Sequence, residues 1–260
     1  MIVAVTSPGG RLGRRVVRLA LADETAQVRQ LSHYDGNDYT VVNLPSGAGL
    51  SEALAGVEVL VHTASSTKDP WSVDVQGARR IVEAADRSSL RHLVYVSIVG
   101  VDRVPYAYYH AKFAAEQVLL GSGLPVTIVR ATQFHTFLDD LLRQQRHGPL
   151  LAIPSGWRIQ PVDVDEVAAY VWEVALGEPG HDVLEMAGPQ EIGSRDLARL
   201  WASTWIEEHP EEVAPKPRVL PLPVPGKLAK AFKQGLALPG PGAHLGTVTY
   251  AQHLEAQLLA

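Results

Sequence analysis

The first 22 residues contain the pattern that most constrains the fold. Residues Ile2 to Val5 form a short apolar, β-branched run, which predicts a buried strand. A turn containing Gly9, Gly10 and Gly13 follows, and then an amphipathic segment typical of a helix. A helix that starts at such a turn offers unpaired backbone N–H groups and the positive end of its dipole. The segment therefore predicts a site for the phosphates of a dinucleotide.

The turn has the spacing G-x-x-G-x-x-G only when Ser7 takes the first place, ahead of Gly10 and Gly13. Glycine suits these places because a Cβ would keep the pyrophosphate away from the backbone. A positive φ at the first place would cost a serine roughly 1 kcal/mol or more. We therefore expect Ser7 to weaken dinucleotide binding without abolishing it.

Composition narrows the class of protein. A hydrophobic content of 46% is enough for a sizeable core, and no apolar run reaches the ~18 residues that cross a bilayer. We expect no signal peptide and a cytoplasmic location. The absence of cysteine excludes disulfides and thiolate catalysis. The net charge of −5, without a long basic run, argues against nucleic acid as a partner.

The ten histidines are scattered along the chain. They form neither an H-E-x-x-H motif nor any pair spaced i, i+4. We therefore expect no metal site. Asp139 and Asp140 are expected to face solvent.

Strand and helix patterns alternate through the first half. The predicted strands after the first are Gln27 to Leu31, Tyr39 to Leu44, Val57 to Thr63, Leu90 to Val96 and Pro125 to Arg130. Helices are predicted from near Asp69-Pro70-Trp71, with Asp69 as cap, and from Tyr106 to Leu120. Such alternation predicts a parallel sheet covered by helices on both faces.

The second half is less regular. Helices are predicted at Phe134 to Gln145, after Asp163, and from Arg195 to Trp205, with a strand at Val183 to Met186. Eight prolines between Pro210 and Pro241 argue against long regular elements there, apart from a short helix near Lys227 to Gln234. We predict a dinucleotide-binding core at residues 1–150 and a mixed region at residues 151–260, within one structural unit.

Several stretches, in this order, resemble the atypical short-chain dehydrogenase/reductases, near their NmrA-like and NAD(P)H-binding quinone-reductase branches. They are TSPGGRLG, VEVLVHTAS, VQGARRIVEAA, HLVYVSIVGVD, YAYYHAKFAAE, LPVTIVRATQF, QPVDVDEVA and AGPQEIGSRDLA. The resemblance spans most of residues 2–200. It implies a doubly wound parallel sheet of Rossmann type (an α/β fold) with a small C-terminal substrate lobe. The cofactor would lie across the carboxyl ends of the strands, with the substrate between it and the lobe.

The resemblance also implies the cofactor-binding residues. They are Ser7, Gly9, Gly10, Arg11, Leu12 and Gly13 in the turn, with His33, Asn43, Ala64, Ser65 and Lys112 farther along the chain. Asn43 replaces an aspartate that often meets the adenine in relatives. Arg11, His33 and Arg14 are candidates for binding a 2′-phosphate. We therefore expect NADP in preference to NAD.

Tyr108 and Lys112 form a Y-x-x-x-K pair whose members share one face of a helix. An ammonium one turn away would lower the pKa of the tyrosine and could bind the nicotinamide ribose. Tyr108 would then donate a proton as hydride reaches a carbonyl. As a bare pattern the pair is more often a solvated lysine beside a packing tyrosine, and Tyr109 could face the site instead. Ser97 is the third catalytic candidate, although relatives often carry their serine one or two places later.

Substrate contacts are expected after the sixth strand, at Gln133, Phe134 and His135. Trp157 could form a pocket wall. An ordinary strand-to-helix turn and core packing are the competing interpretations of these residues.

The function predicted first is an NAD(P)H-dependent oxidoreductase that reduces a carbonyl or quinone of a small organic substrate. The alternatives are a dinucleotide-sensing regulator without turnover, and a cofactor-independent cyclase, isomerase or dehydratase on the same fold. A small-molecule substrate is expected in either enzyme, without a membrane partner. Exposed helices could pair in a homodimer.

Overall fold

A computed structural model of the chain describes residues 1–36, 38–85, 89–180, 182–208 and 217–259, without the side chains of residues 205–208. These residues form two compact units. Unit 1 contains Met1–Asp102, Tyr106–Arg130 and Asp165–Leu184, and unit 2 contains Arg103–Pro105, Ala131–Val164 and Glu185–Ala260. The predicted division after residue 150 does not coincide with these units, because the chain passes between them several times.

The main sheet has eight strands in the order β13-β10-β6-β5-β4-β1-β2-β3. They are β1 (Ile2–Thr6), β2 (Gln27–Ser32), β3 (Tyr39–Val41), β4 (Val59–His62), β5 (His92–Ile98), β6 (Val126–Ala131), β10 (Val183–Ala187) and β13 (His244–Leu245). β1 pairs in parallel with both β2 and β4, so the order of strands along the chain reverses there. The predicted Rossmann-type α/β fold is confirmed.

The helices of unit 1 cover this sheet. They are α1 (Gly13–Ala22), α2 (Leu50–Leu54), a π-helical segment (Trp71–Gln76) that continues as α3 (Gly77–Ala85), α4 (Ala107–Leu120) and α6 (Val164–Leu176). Val3, Leu60 and Leu93 on the central strands are fully buried. Strands covered on both faces carry continuous apolar runs, which is why the sequence shows no alternation there.

Unit 2 contains the elements that the sequence indicated less clearly. Its helices are α5 (His135–Gln145), α7 (Ser194–Glu208), α8 (Lys227–Lys233) and α9 (Tyr250–Leu258). Its smaller sheets contain β7 (Arg146–His147), β8 (Leu150–Pro154), β9 (Arg158–Ile159), β11 (Ile192–Gly193) and β12 (Arg218–Leu222). β12 is an edge strand paired with β8 alone, a position that tolerates Pro221. No helix within the described residues is long and apolar enough to cross a membrane.

The turn between β1 and α1 is held by close backbone contacts. Ser7 has a φ of 53°, and among the described residues it is the one non-glycine with a positive φ. Its carbonyl accepts a hydrogen bond of 2.9 Å from the amide of Gly10. A Cβ on Gly13 would lie 2.1 Å from that carbonyl oxygen. Glycine is therefore obligatory at position 13, whereas a Cβ on Gly9 would lie no closer than 3.8 Å to its nearest neighbour, the Tyr39 hydroxyl.

We predict that Gly13→Ala destabilises the fold, because its methyl group would overlap the Ser7 carbonyl. The free energy of unfolding in urea should fall by at least about 2 kcal/mol. Gly9→Ala is the control in the same turn and should change it by less than about 1 kcal/mol. Equal effects of the two substitutions would contradict the packing of this turn.

Candidate active site

The carboxyl ends of β1 and β4 are joined by the side chain of Thr6. Its hydroxyl oxygen accepts hydrogen bonds from the amides of Thr63 at 3.0 Å and Ala64 at 3.1 Å. The Thr63 hydroxyl in turn donates to the Thr6 carbonyl at 2.6 Å. In doubly wound folds, ligands bind where the strand order reverses. These bonds fix the backbone at that point.

His62, at the end of β4, has a defined tautomer. Because the Thr6 oxygen accepts two amide protons, its own proton is donated to Nδ1 of His62, 2.9 Å away. Nε2 therefore carries the ring proton. His62 is fully buried, and burial lowers its pKa to about 3, with a smaller contribution from the Lys112 ammonium. The ring is neutral at pH 7.

Lys112 and Asp74 form a buried ion pair. Nζ of Lys112 lies 3.3 Å from Oδ1 of Asp74, and the side-chain exposures are 3% and 0%. The ammonium also donates to the Val96 carbonyl at 2.8 Å and lies 4.1 Å from the centre of the Tyr95 ring. Lys112 therefore binds protein groups on several sides. Burial lowers the pKa of Lys112, although Asp74 opposes this shift.

Tyr108 joins the same group of residues through Ser65. The Tyr108 and Ser65 hydroxyl oxygens are 2.7 Å apart, and the Ser65 hydroxyl donates to Oδ1 of Asp74 at 2.7 Å. Ser65 has one proton, so when it donates to Asp74 the Tyr108 hydroxyl is the donor to Ser65. We name Tyr108, Ser65, Asp74 and Lys112 the polar network of unit 1.

The pKa of Tyr108 is not lowered as expected beside a lysine. The pKa of Tyr108 is raised to about 12, mainly by burial and also by the Asp74 charge, while the hydrogen bond with Ser65 opposes this. Tyr108 and Lys112 do share a helix face as predicted, but the ammonium is directed at Asp74 and Val96. Tyr108 is thus a protonated phenol at neutral pH.

The predicted cofactor residues have varied surroundings. Gly9 and His33 are exposed, Gly10 and Arg11 are half-buried, and Leu12 is buried in the core. Leu12 can therefore offer a ligand only its backbone. Ala64 and Ser65 directly follow the Thr6 contacts at the end of β4.

The Asn43 side chain is engaged within its own loop. Its Oδ1 accepts hydrogen bonds from the amide of Ser46 at 3.0 Å and from the Ser46 hydroxyl at 2.9 Å. The side-chain NH2 group of Asn43 is therefore the part that remains for a hydrogen bond to an adenine. Ser97 lies near the end of β5, is buried, and its hydroxyl has no hydrogen-bond partner among the described residues. Its catalytic role stays a prediction.

The predicted substrate residues all belong to unit 2. Phe134 is half-buried at the N-terminus of α5, and the Gln133 carbonyl accepts from the amide of Val162. Trp157 is half-buried and stacks on Phe232 with ring centres 4.3 Å apart, and its role as a pocket wall stays a prediction. His135 is fully buried, and burial lowers its pKa to about 4. This corrects the expectation for His135, because its ring has no surface to offer a substrate.

Sequence reasoning missed Asp74 altogether. Asp74, Ala78, Ile81 and Ala85 are buried and recur at helical spacing. An acidic residue on such an apolar face was the available signal, because a buried carboxylate needs a partner. Asp139 was also misjudged, since it is 1% exposed instead of facing solvent.

Comparison with known proteins fits this geometry. Residues 9–174, more than half of the chain, match the NAD(P)H-binding family. The chain therefore belongs to that family, and the resemblance to the atypical short-chain dehydrogenase/reductases is confirmed. The predicted NAD(P) cofactor is confirmed at the level of the family.

The individual relatives have low sequence identity to this chain. Quinone oxidoreductase 2 of Escherichia coli is 23% identical over 201 residues, which cover 72% of this chain and 68% of that protein. The structure of the E. coli NADPH-dependent quinone oxidoreductase with NADPH has a TM-score of 0.76 at 18% identity, covering 98% of this chain and 99% of that one. Triphenylmethane reductase of Citrobacter sp. with NADP(H) has a TM-score of 0.76 at 17% identity, covering 99% and 100%. These two structural likenesses concern the fold.

The buried neutral state of His62 makes stability depend on pH. Its folded pKa lies below the ordinary value of 6.5, so this contribution is complete above pH 6.5 and is lost as the pH falls towards 3. Each pH unit within this window should cost about 1.4 kcal/mol. Urea unfolding at pH 7 and pH 5 should therefore differ by about 2 kcal/mol more in the wild type than in His62→Gln. Equal differences would show that His62 is not held neutral.

Proposed function

We propose that the protein is an NADPH-dependent reductase that acts on a carbonyl or quinone group of a small organic molecule. The observation that carries the proposal is the polar network. In it, the protonated Tyr108 is hydrogen-bonded to Ser65, which the buried Asp74 carboxylate holds. The names of the quinone oxidoreductase relatives support the same reaction class.

The turn after β1 fits the pyrophosphate of a dinucleotide. Gly9 and Gly10 present backbone without a Cβ, and the first turn of α1 follows directly. When bound, NADPH would supply the hydride. The residues of the chain would bind and orient the dinucleotide and provide the proton that completes the reduction.

Tyr108 would give its hydroxyl proton to the oxygen of the reduced group. A pKa of about 12 keeps this proton in place at neutral pH until the hydride arrives and negative charge develops on the substrate oxygen. When the Tyr108 hydroxyl turns from Ser65 to the substrate, the Ser65 proton can turn from Asp74 to the tyrosine oxygen. That hydrogen bond would stabilise the phenolate that remains.

Lys112 and Asp74 would act as positioning residues. Asp74 holds the Ser65 hydroxyl at 2.7 Å and the amide of Ser66 at 3.2 Å. Lys112 balances the charge of Asp74 within the core. In this arrangement Lys112 keeps Ser65 beside Tyr108 and does not activate the tyrosine directly.

A dinucleotide-binding regulator without turnover is the second candidate. The anchoring of the Lys112 ammonium at Asp74 and Val96 favours it, because that lysine then does not lower the pKa of Tyr108. The two candidates differ in whether the protein oxidises NADPH in the presence of an acceptor and whether Tyr108 is needed.

The substitution Tyr108→Phe separates these candidates. We expect purified protein to oxidise NADPH with at least one member of a panel of small quinones and aldehydes. Tyr108→Phe should lower kcat by about 100-fold or more, because the phenyl ring has no proton to give. The Kd of NADPH, measured by fluorescence, should change less than about twofold.

Two tyrosines close to Tyr108 in the sequence serve as controls. Tyr106→Phe alters an exposed ring and should leave kcat unchanged. Tyr109→Phe tests the neighbouring tyrosine, which is buried, and should also leave kcat within about threefold. A fully active Tyr108→Phe would overturn the proposed role. Absence of NADPH oxidation across the panel, with NADPH bound, would favour the regulator.

The cofactor preference rests on basic side chains near the ends of β1 and β2. Arg11 lies in the glycine turn and the exposed His33 directly follows β2. We expect Arg11→Gln to weaken NADPH binding about tenfold and NADH binding much less, because a guanidinium pairs with a 2′-phosphate. Arg79→Gln, an exposed arginine on α3, is the control. Equal weakening of both dinucleotides would contradict the proposed 2′-phosphate contact.

A further inference from the structure

Unit 2 contains a cluster of buried polar side chains that the proposed reaction does not use. His135 begins α5, Asp163 directly precedes α6, and His253 lies on α9. One potential ligand atom from each of the three residues lies within 4.8 Å of those of the other two. The side chains of His135, Asp163 and His253 are 0%, 16% and 9% exposed. We name these three residues the His–Asp–His cluster.

The tautomer of His135 directs an unshared electron pair into the cluster. Nε2 of His135 lies 3.1 Å from the Pro161 carbonyl oxygen, which can only accept, so Nε2 carries the ring proton. Nδ1 is buried and has no hydrogen-bond partner among the described residues. Oδ2 of Asp163 lies 4.0 Å from Nδ1 of His135. Both atoms are acceptors without a proton between them, and a cation is a group that both would bind.

His253 is oriented by a second carboxylate. Nε2 of His253 lies 2.7 Å from Oδ2 of Asp139, and Oδ1 of Asp139 accepts from the Tyr250 hydroxyl at 2.6 Å. The Gln257 amide donates to the same Asp139 oxygen at 3.0 Å and also lies 2.9 Å from Nε2 of His253. Histidines that bind metals are commonly oriented in this way by a carboxylate or a backbone carbonyl. His135 and His253 thus show the two common forms of that support.

We propose that unit 2 binds one Zn²⁺ ion through Nδ1 of His135, a ring nitrogen of His253 and a carboxylate oxygen of Asp163. Two imidazoles and one carboxylate form a ligand set that zinc accepts, with a fourth tetrahedral position left for water. Neighbouring ligands of tetrahedral zinc are about 3.3 Å apart, so the side chains must close on the ion by about 1 Å. Asp163, at the start of α6, has the most exposed side chain of the three.

The ion would join three segments that are far apart in sequence. His135 and His253 are separated by 118 positions, which is why no spacing motif marks the site in the sequence. The proposal differs from the expectation of no metal site, which rested on motifs within one helix. The inference is independent of the proposed reductase activity and is tested without NADPH.

Cobalt is the probe, because tetrahedral Co²⁺ absorbs visible light and occupies zinc sites. The full chain, treated with a chelator and dialysed, should bind one Co²⁺ with the intense d–d bands of a tetrahedral site. One equivalent of Zn²⁺ should remove those bands. Zn²⁺ should also raise the Tm of the chelator-treated chain by mass action.

Variants identify the ligands. Asp163→Asn and His253→Gln should each weaken Co²⁺ binding at least tenfold and abolish the Zn²⁺-dependent rise in Tm. Asp163→Asn alters a partly exposed side chain, so its folding, checked by circular dichroism, should match the wild type. His147→Gln is the control because His147 is an exposed histidine of the same unit. Absence of saturable Co²⁺ absorption, or bands that survive both variants, would overturn the proposal.

Discussion

The ion pair of Asp74 and Lys112 is the constraint on which the centre of unit 1 depends. Two charges placed in a core must be compensated by each other and by hydrogen bonds, and removal of one partner typically costs about 3–5 kcal/mol. The groups that meet this need are the Ser65 hydroxyl, the Ser66 amide, the Tyr95 hydroxyl and the Val96 carbonyl. They come from β5 and from the loop after β4, while Asp74 lies in a π-helical segment, a form often found at functional sites. The pair therefore fixes the elements that hold Tyr108.

Much of unit 1 could be predicted because local signals agreed with the fold. Apolar runs marked β1 and β4, and the glycine turn marked the start of α1. The predicted third strand, Tyr39 to Leu44, ends at Val41 instead, because Asn43 and Ser46 form a turn through side-chain hydrogen bonds. β12 was not predicted, since its prolines argue against a strand and only pairing with β8 stabilises it. The division into units could not be predicted either, because it depends on contacts between distant segments of the chain.

The site was predicted only in part, because sequence spacing shows local relations and not contacts between distant residues. The i, i+4 spacing placed Tyr108 and Lys112 on one helix face, which is a local property. What each side chain contacts is not local: Asp74 is 38 positions from Lys112, and it binds the ammonium. Burial, with the charge of Asp74, raises the pKa of Tyr108, and neither follows from spacing alone. The same reasoning applies in unit 2, where Asp139 appears solvent-facing by pattern but is buried by α9, which supplies its partners.

The central claim is that Tyr108 transfers its proton while the acceptor is reduced. The most direct test is the solvent deuterium isotope effect on single-turnover oxidation of bound NADPH, with a soluble naphthoquinone as acceptor. The account predicts a slower reaction in D₂O for the wild type and no such slowing in the residual reaction of Tyr108→Phe. Equal rates in H₂O and D₂O for the wild type, in a step shown to be hydride transfer, would contradict it.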